Sequence, residues 1–477
     1  MNERGLLGGL GGLVLGIGAG QRSGAAGAGA LMALGVIAIA GAWFVEGRAR
    51  VAVAFVALAL LGAAQTERAL NGQAHSRLSD GIARNAPVTV SGELVDDPQS
   101  GRFDTDAFVR VPAGNSHRTL FAVATQDDAL RLRVLEAGDR VVLSGRLAPL
   151  RPTGFDGRAR WRHAVGRLDR AQVLALAPAR GVLRIANPLR ALVLRGTEPL
   201  PPTHRALLAG FLLGDTRAVP DDVVAAYRDS GLSHLLAVSG ENVAFTLALF
   251  GPLLRRLPLG PRTVGAIAIV LLFAAMTRFE PSVLRASALS IVAFGSSFVG
   301  RPASSVRALS LAVIALLLAD PFLLHSIAFL LSCGASAGIA VLSGPLRARL
   351  PGPMWLRSPL AVSLSAQVGV TPVLLATFGT VPLVTPLANL VAAPAAEAVG
   401  VYGMLASVAG GLVPPLAPVL QQPSAVLITW ITAVARAGAS VGIDLDRRSA
   451  WFLLGIGCAT ASALVARRSR RAPAVPR

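Results

Sequence analysis

A polytopic α-helical membrane protein with one inserted small β-barrel is the fold class this sequence predicts, and three observations predict it. Apolar residues make up 53% of the 477-residue chain, and its mean hydropathy is +0.60, more than a soluble chain of this length needs to fill a core. The apolar residues fall into runs close to the roughly 20 residues of a spanning helix. One polar block, residues 66–202, interrupts those runs with short alternating segments of strand period.

The first three apolar stretches, roughly 5–20, 25–45 and 51–65, read as spanning helices, the first of them Gly-rich. A cleaved signal peptide is disfavoured because two more apolar segments follow where a polar mature region would begin. In the polar block, PVTVSGELV (87–95), FDTDAFVRV (103–111), RTLFAVAT (118–125), DRVVLSGRL (139–147) and RLDRAQVLAL (167–176) read as strands bounded by Gly, Pro and Asp turns. About five strands of that length suit a small β-barrel, with an oligonucleotide-binding (OB-like) type as one candidate.

Beyond Pro202, apolar stretches recur near 232–254, 263–277, 283–299, 306–320, 326–343, 359–378, 382–406, 424–440 and 450–466, with 407–423 either a loop or a re-entrant hairpin. Placing the amino terminus inside puts Arg4, Arg48/Arg50, Arg255/Arg256, Arg301, Arg347/Arg349/Arg357 and the RRSRR tail (467–471) in the cytoplasm. Arg278, Arg307 and Arg447/Arg448 are the exceptions. The expectation is about twelve transmembrane helices in the cytoplasmic (inner) cell membrane, both termini cytoplasmic and the β-domain extracytoplasmic. The domains are then 1–65 (amino-terminal helices), 66–202 (β-domain), 203–466 (second helical domain) and 467–477 (basic tail). No period of 20–50 residues recurs.

The net charge of +19 is carried by arginine alone, since the chain has no lysine; this suits phosphate recognition and equally what a high-GC genome produces. Cys333 and Cys458 both sit in apolar stretches, so the polar domain folds without disulfides. The six histidines are scattered with no metal-ligand spacing, and no Gly-rich loop has the Walker spacing. No metal, cofactor or catalytic constellation is expected, and the chain is not read as an enzyme.

The segment SHLLAVSGENVAFTLALF, from Ser233, reads as one membrane-length helix on which His234 and Glu241, seven apart, eclipse, with Asn242 beside them and Ser239 close by. A carboxylate at the bilayer centre costs about 2.5–3.5 kcal/mol on the mildest scales. The polar stripe therefore lines a conduit or forms a hydrogen-bonded knot between helices. Ser363, Gln367 and Thr371 are spaced i, i+4, i+8 ahead of Pro372, as in a conduit-lining helix or a kinked packing helix. Asn389 and Glu397 share a face of the next segment, either pore-lining or partnered from another helix. Asp215, Asp221, Asp222 and Asp229 lie in a stretch that reads as an amphipathic surface segment, Asp221 and Asp222 being solvated. Arg278 and Arg285 flank FEPSVL; Arg285, a turn into a helix, needs a partner such as Glu280, or meets phosphates at a pore mouth. Finally, RPTGFDGRARWRHAVGR (151–167) interleaves Arg151, Arg158, Arg160, Arg162 and Arg167 with Phe155, Trp161 and His163. That pattern suits a sequence-independent single-strand groove, or a membrane-facing return loop with Trp161 in the interface.

The run ALLAGFLLGDTRAVPDDVVAAYRDSGLSHLLAVSG (206–240) closely resembles the signature of the ComEC-type competence family. RFEPSVLRASALS (278–290), DPFLLHSIAFLLSCGASAGI (320–339) and AVSLSAQVGVTPVLLATFGTVPLVTPLANLVAAP (361–394) resemble the same family in the same order. The resemblance implies a channel that imports single-stranded DNA across the cytoplasmic membrane during natural transformation, with helices preceding an extracytoplasmic β-domain. It also implies partners: membrane lipid, an extracytoplasmic DNA receptor, a cytoplasmic ATPase or helicase, a separately encoded nuclease and a second copy of the chain in a homo-oligomer. Two departures stand out. Glu241-Asn242 replaces a Leu-His or similar pair, so that pair's role is not carried over, and the HxHxDH signature of the family's metallo-β-lactamase-like nuclease is absent. The expectation is the channel without the nuclease. A small-solute or proton-coupled transporter with Glu241 and Glu397 as relay, and a structural membrane scaffold, are the alternatives.

Overall fold

The computed structural model describes residues 3–22, 28–41, 47–74, 78–101, 103–114, 116–151, 159–238, 240–298, 304–446 and 448–449. The stretch 450–466 and the tail 467–477 lie outside them, as do Phe155, Arg158 and Ser239 and the side chain of Glu241. The chain packs as two compact units: Met1–Pro220 with His234–Cys333 and Ala395–Thr429, and Asp221–Ser233 with Gly334–Pro394 and the chain from Trp430.

The first unit begins with α1 (Glu3–Gly20), α2 (Ala28–Gly41) and α3 (Gly47–Ala74). The glycines of α1 have a packing reason. A Cβ at Gly12 or Gly16 would run into the carbonyl oxygens of Phe55 and Ala59 on α3, so the two backbones touch where a larger residue would hold them apart.

After the short α4 (Ser79–Ala83), six strands follow: β1 (Pro87–Leu94), β2 (Gln99–Ser100), β3 (Asp104–Ala113), β4 (Ser116–Thr125), β5 (Arg140–Ala148) and β6 (Ala164–Ala177). β3 and β4 form a hairpin with Asp104 opposite Thr125, β5 runs antiparallel to both β1 and β6, and β4 and β6 are parallel with Leu120 beside Gly166. A further pairing, Glu93 with Arg110, joins β1 to β3 and closes the five long strands into a small barrel. Its interior is filled by Leu94, Val109, Leu120, Val141, Leu143 and Leu168, inward residues from each of the five long strands. The strands expected from alternation are all present, within a few residues at their ends. Alternation gave no sign of α5 (Gln126–Arg133), between β4 and β5, which seats Leu132 in that core.

The first unit continues through α6 (Leu183–Gly196), α7 (Pro202–Leu213), α9 (Ser233–Leu236) from His234 on, α10 (Gly240–Leu254), α11 (Leu259–Met276), α12 (Pro281–Phe298) and α13 (Ser305–Ala319). The second contains α8 (Asp221–Asp229), most of α14 (Ile327–Arg349) and α15 (Met354–Thr377). There α14 and α15 meet through Gly334, Gly338 and Gly369 on bare backbone. α16 (Thr385–Leu412) runs unbroken through a π-turn at Val399–Gly403, and α17 (Gln422–Val441) follows. The segment read as a loop or re-entrant hairpin from 407 is thus helical to Leu412.

Among the described residues six helices are long and apolar enough to span a membrane, α3, α11, α14, α15, α16 and α17. Four apolar helices are shorter, including Asn242–Leu254 and Ser305–Ala319. The chain is a multi-pass membrane protein with a small β-barrel domain.

Candidate functional site: a broken helix in the apolar bundle

The segment expected to run as one helix from Ser233 is broken, and this is the main correction to the sequence reading. α9 stops at Leu236, Ala237 and Val238 are non-helical, and α10 starts at Gly240. His234 and Glu241 therefore do not share one helical face. Specific contacts hold the break open. Val238 is fully buried, and its carbonyl accepts a hydrogen bond from Ser282 Oγ of α12 at 2.6 Å. Asn242, in the first turn of α10, donates through Nδ2 to the carbonyl of Phe211 at 2.8 Å, one of the carbonyls the end of α7 leaves open. Irregular backbone inside an apolar bundle survives only where its polar groups find such partners or line a cavity.

Arg285 lies beside the break. It is 8% exposed, and its Nε donates to Ser332 Oγ of α14 at 2.6 Å. A Cβ on Gly240 would stand 2.8 Å from Arg285 Nη2, so the guanidinium rests against the start of α10. The partner expected for Arg285 was Glu280, but the charged groups acting on Glu280 are Asp96 and Arg162. Among the described side chains, which do not include that of Glu241, no carboxylate lies in ion-pair range of Arg285. A buried cation next to a helix N-terminus is a place that favours an anion twice over. The π-turn of α16 closes in on the same segment: a Cβ on Gly400 would stand 3.4 Å from Asn242 Oδ1. Single π-turns in α-helices recur at functional sites.

A second polar cluster ties the barrel to the helices. Asp97, after β1, meets Arg278 Nε at 2.8 Å and Arg190 Nη2 at 3.2 Å. Arg190 also meets Asp215 at 2.8 Å and donates to the carbonyl of Met276 at 3.0 Å. Arg217 pairs with Asp215 at 2.7 Å, and Arg278 reaches Asn187 Oδ1 at 2.6 Å and Glu136 at 3.8 Å. Burial alone would raise the Asp215 carboxyl, but hydrogen bonds from Arg217 and the charges of Arg217 and Arg190 bring it down to about 2. Burial raises the Glu136 carboxyl against the nearby Arg278. Arg278 and Phe279 both hold left-handed backbone, φ 59° and 53°, a strain the cluster must support. Asp215 is thus locked in a buried ion network, not on a surface segment, whereas Asp221, Asp222 and Asp229 are exposed.

Of the loop expected to offer stacking platforms, the described residues Trp161, Arg162 and His163 are engaged within the protein. Trp161 stacks on His325, rings 3.6 Å apart and 3° from parallel, and meets Phe322 edge-on. His163 lies 3.1 Å from Asp320. Arg162 pairs with Asp96 and sits over the Phe108 ring. Arg151 and Arg160 are exposed. Glu280 is pushed up to about 7 by burial, with Asp96 adding to the shift and Arg162 opposing it.

In the second unit Asn389 Nδ2 donates to Ser363 Oγ at 3.2 Å, and Thr371 Oγ1 donates to the carbonyl of Gln367 at 2.6 Å. The Gln367 Nε2 is buried without a hydrogen-bond partner. Glu397 and His234, both in the first unit, are exposed.

Sequence reasoning missed Asp97, Asn187, Arg190, Arg217, Ser282 and Ser332. One signal was available: Asn187 and Arg190, three apart, lie on the face of α6 that also carries Ala186 and Val193, and polar groups on an apolar stripe need partners.

The family model for competence proteins matches residues 211–470, more than half of the chain, and includes the break, Arg285 and the π-turn. The chain belongs to the competence protein family. It is similar to ComE operon protein 3 of Bacillus subtilis (strain 168), 34% identical over 200 residues, covering 41% of this chain and 25% of that protein. It is also similar to the uncharacterized protein YcaI of Escherichia coli (strain K12), 28% identical over 241 residues, 46% of this chain and 30% of that one. The chain thus matches about a quarter to a third of the length of these curated relatives. No solved structure matches.

Proposed function

We propose that this protein acts in DNA uptake during natural transformation, as the membrane channel through which a single strand is imported. The observation that carries the reading is Arg285. A buried guanidinium bonded to a serine hydroxyl and set against the start of α10, where a helix is broken, offers a translocating phosphate a charged contact. Membership of the competence family supplies the substrate class. The barrel supports the reading in a second way. Five strands closed as a Greek key, with one parallel pair and a helix between the third and fourth long strands, support an oligonucleotide-binding type. Arg151 and Arg160 are its exposed candidates for phosphate contact. An extracytoplasmic DNA receptor, a cytoplasmic ATPase or helicase and a separate nuclease are the partners this function requires.

The test is transformation frequency with labelled DNA in a competent host deleted for this gene, complemented by the wild-type chain or by Arg285→Gln. Rescue by wild type and a loss of at least about tenfold with Arg285→Gln, equivalent to about 1.4 kcal/mol, is the expected result. Unchanged DNA entry in the deletion strain would sink the uptake function. Glu397, exposed within α16, is what favours the alternative of a proton-coupled transporter; pH-driven solute uptake without any DNA dependence would put that reading first.

A further inference from the structure

We propose that the groove between α10, α11 and α12 binds an anionic phospholipid. The last turn of α10, the first of α11 and the last of α12 meet at one end of this helical group and enclose about 410 Å³. Leu254, Ala266 and Phe294 form an apolar wall, while Arg255 and Arg262 stand at the turn. Arg255, its neighbour Arg256 and Arg262 are all exposed. The sequence supplies no acid for them: no Asp or Glu occurs between Glu241 and Glu280. Among the described residues none of the three arginines makes an ion pair.

The combination selects an occupant with two chemistries. A soluble anion would satisfy the arginines and leave the apolar wall uncovered. A nucleic acid strand would need cations along a track with aromatic platforms, and this groove has one aromatic ring and its cations at a single end. A phospholipid places an acyl chain along Leu254, Ala266 and Phe294 and its phosphate at Arg255 and Arg262. Basic pockets between helices at the membrane boundary are established in general as headgroup sites, and a net negative lipid gains from uncompensated arginines what a zwitterionic one does not. Gly251 lines the groove, and a Cβ there would meet no atom within 4 Å, so a larger side chain can start from this position without a clash at its first atom.

The experiment uses the full chain purified in neutral detergent and titrated with phosphatidylglycerol or phosphatidylcholine, with bound lipid counted by native mass spectrometry and the melting temperature followed. Phosphatidylglycerol is expected to remain bound and to raise the melting temperature more than phosphatidylcholine does. Arg255→Gln/Arg262→Gln, changed at exposed positions, should weaken the phosphatidylglycerol effect about tenfold to thirtyfold. Gly251→Leu should abolish lipid retention with both arginines in place. Equal retention of the two lipids, or an unchanged response in the double variant, overturns the proposal. Equal protection by inorganic phosphate makes the site a simple anion site, and displacement of the lipid by oligothymidylate makes it a strand contact; each also overturns it.

Discussion

Arginine is buried in two places within the first unit, and the two are built differently. The buried Arg190 and Arg278, with the more exposed Arg217, meet Asp97, Asp215 and Glu136, three guanidiniums against three carboxylates. Arg285 is met by the hydroxyl of Ser332. A paired network offsets the desolvation of its own charges and so fixes the parts it joins, here the barrel loops after β1 and α5 and the turns at 215 and 278. A neutral hydroxyl offsets less of a buried charge than a carboxylate does, so on the proposed function the cost of burying Arg285 is one that a passing phosphate would offset. The first arrangement is a latch, and the second is the proposed phosphate contact.

The largest effect should come from opening the latch. Arg190→Met removes the more deeply buried of the two arginines that Asp97 and Asp215 share, Arg217 being the other, and removal of one member of such a network costs about 3–5 kcal/mol. Arg285→Gln keeps a donor for Ser332 and relieves a buried charge, so its cost should stay within about 1 kcal/mol. Denaturant or thermal unfolding of the detergent-solubilised chain compares the two directly. Equal destabilisation would mean that Arg285 is structural in the same sense as Arg190, and the contrast would fall.

Gly240→Ala sharpens the contrast from the other side. The added methyl meets the far end of Arg285 at 2.8 Å and Ala286 at 3.2 Å. A flexible side chain yields where backbone does not, so the guanidinium should move and the fold should bear a strain of about 1–3 kcal/mol. Gly16→Ala is the control, since its methyl meets the rigid carbonyl of Ala59. Transformation should fall further with Gly240→Ala than its melting temperature implies, whereas with Gly16→Ala the two should fall together.

These sites differ in how far the sequence exposed them. The barrel strands were legible because alternation reports directly on which residues face a core, and β1, β3, β4, β5 and β6 follow it. The break at Ala237 and Val238 was not, because SHLLAVSGEN has the composition of an apolar helix. What interrupts it comes from elsewhere: Ser282 takes the Val238 carbonyl, and Asn242 is drawn to Phe211. The ion network joins positions 97, 136, 190, 215, 217 and 278, and one sequence carries no signal of such distant pairing. The polar character of Arg285 was visible, but its partner was misjudged. Glu280 is the near acid along the chain, yet in space it lies by Asp96 and Arg162. Likewise Trp161 carried the composition of a nucleic-acid platform and is stacked within the protein on His325.

Glu280 supplies a pH test that separates the latch from its surroundings. Its carboxyl is raised from the ordinary 4.5 to about 7 by burial beside Asp96. The protonated form is therefore favoured by the fold, and the stabilisation it brings is complete below pH 4.5 and lost as the pH rises through 7. Asp215, held at about 2, has the opposite sign, its contribution being present above 3.8 and lost as the pH falls through 2. Asp215 is thus constant across the window in which Glu280 titrates. Glu136, also raised by burial, acts with Glu280. His325, lowered by burial and by Arg160, acts against both, favouring its neutral ring and weakening the fold as the pH drops below 6.5. The wild-type chain should be more stable near pH 5 than near pH 8, by an amount on the order of 1–3 kcal/mol from Glu280. Glu280→Gln should remove that part of the slope and leave the contributions of Glu136 and His325, which oppose each other. A pH profile identical in the two proteins would show that Glu280 titrates alike in the folded and unfolded chain, and the burial that sets it apart from the paired carboxylates would have no energetic consequence.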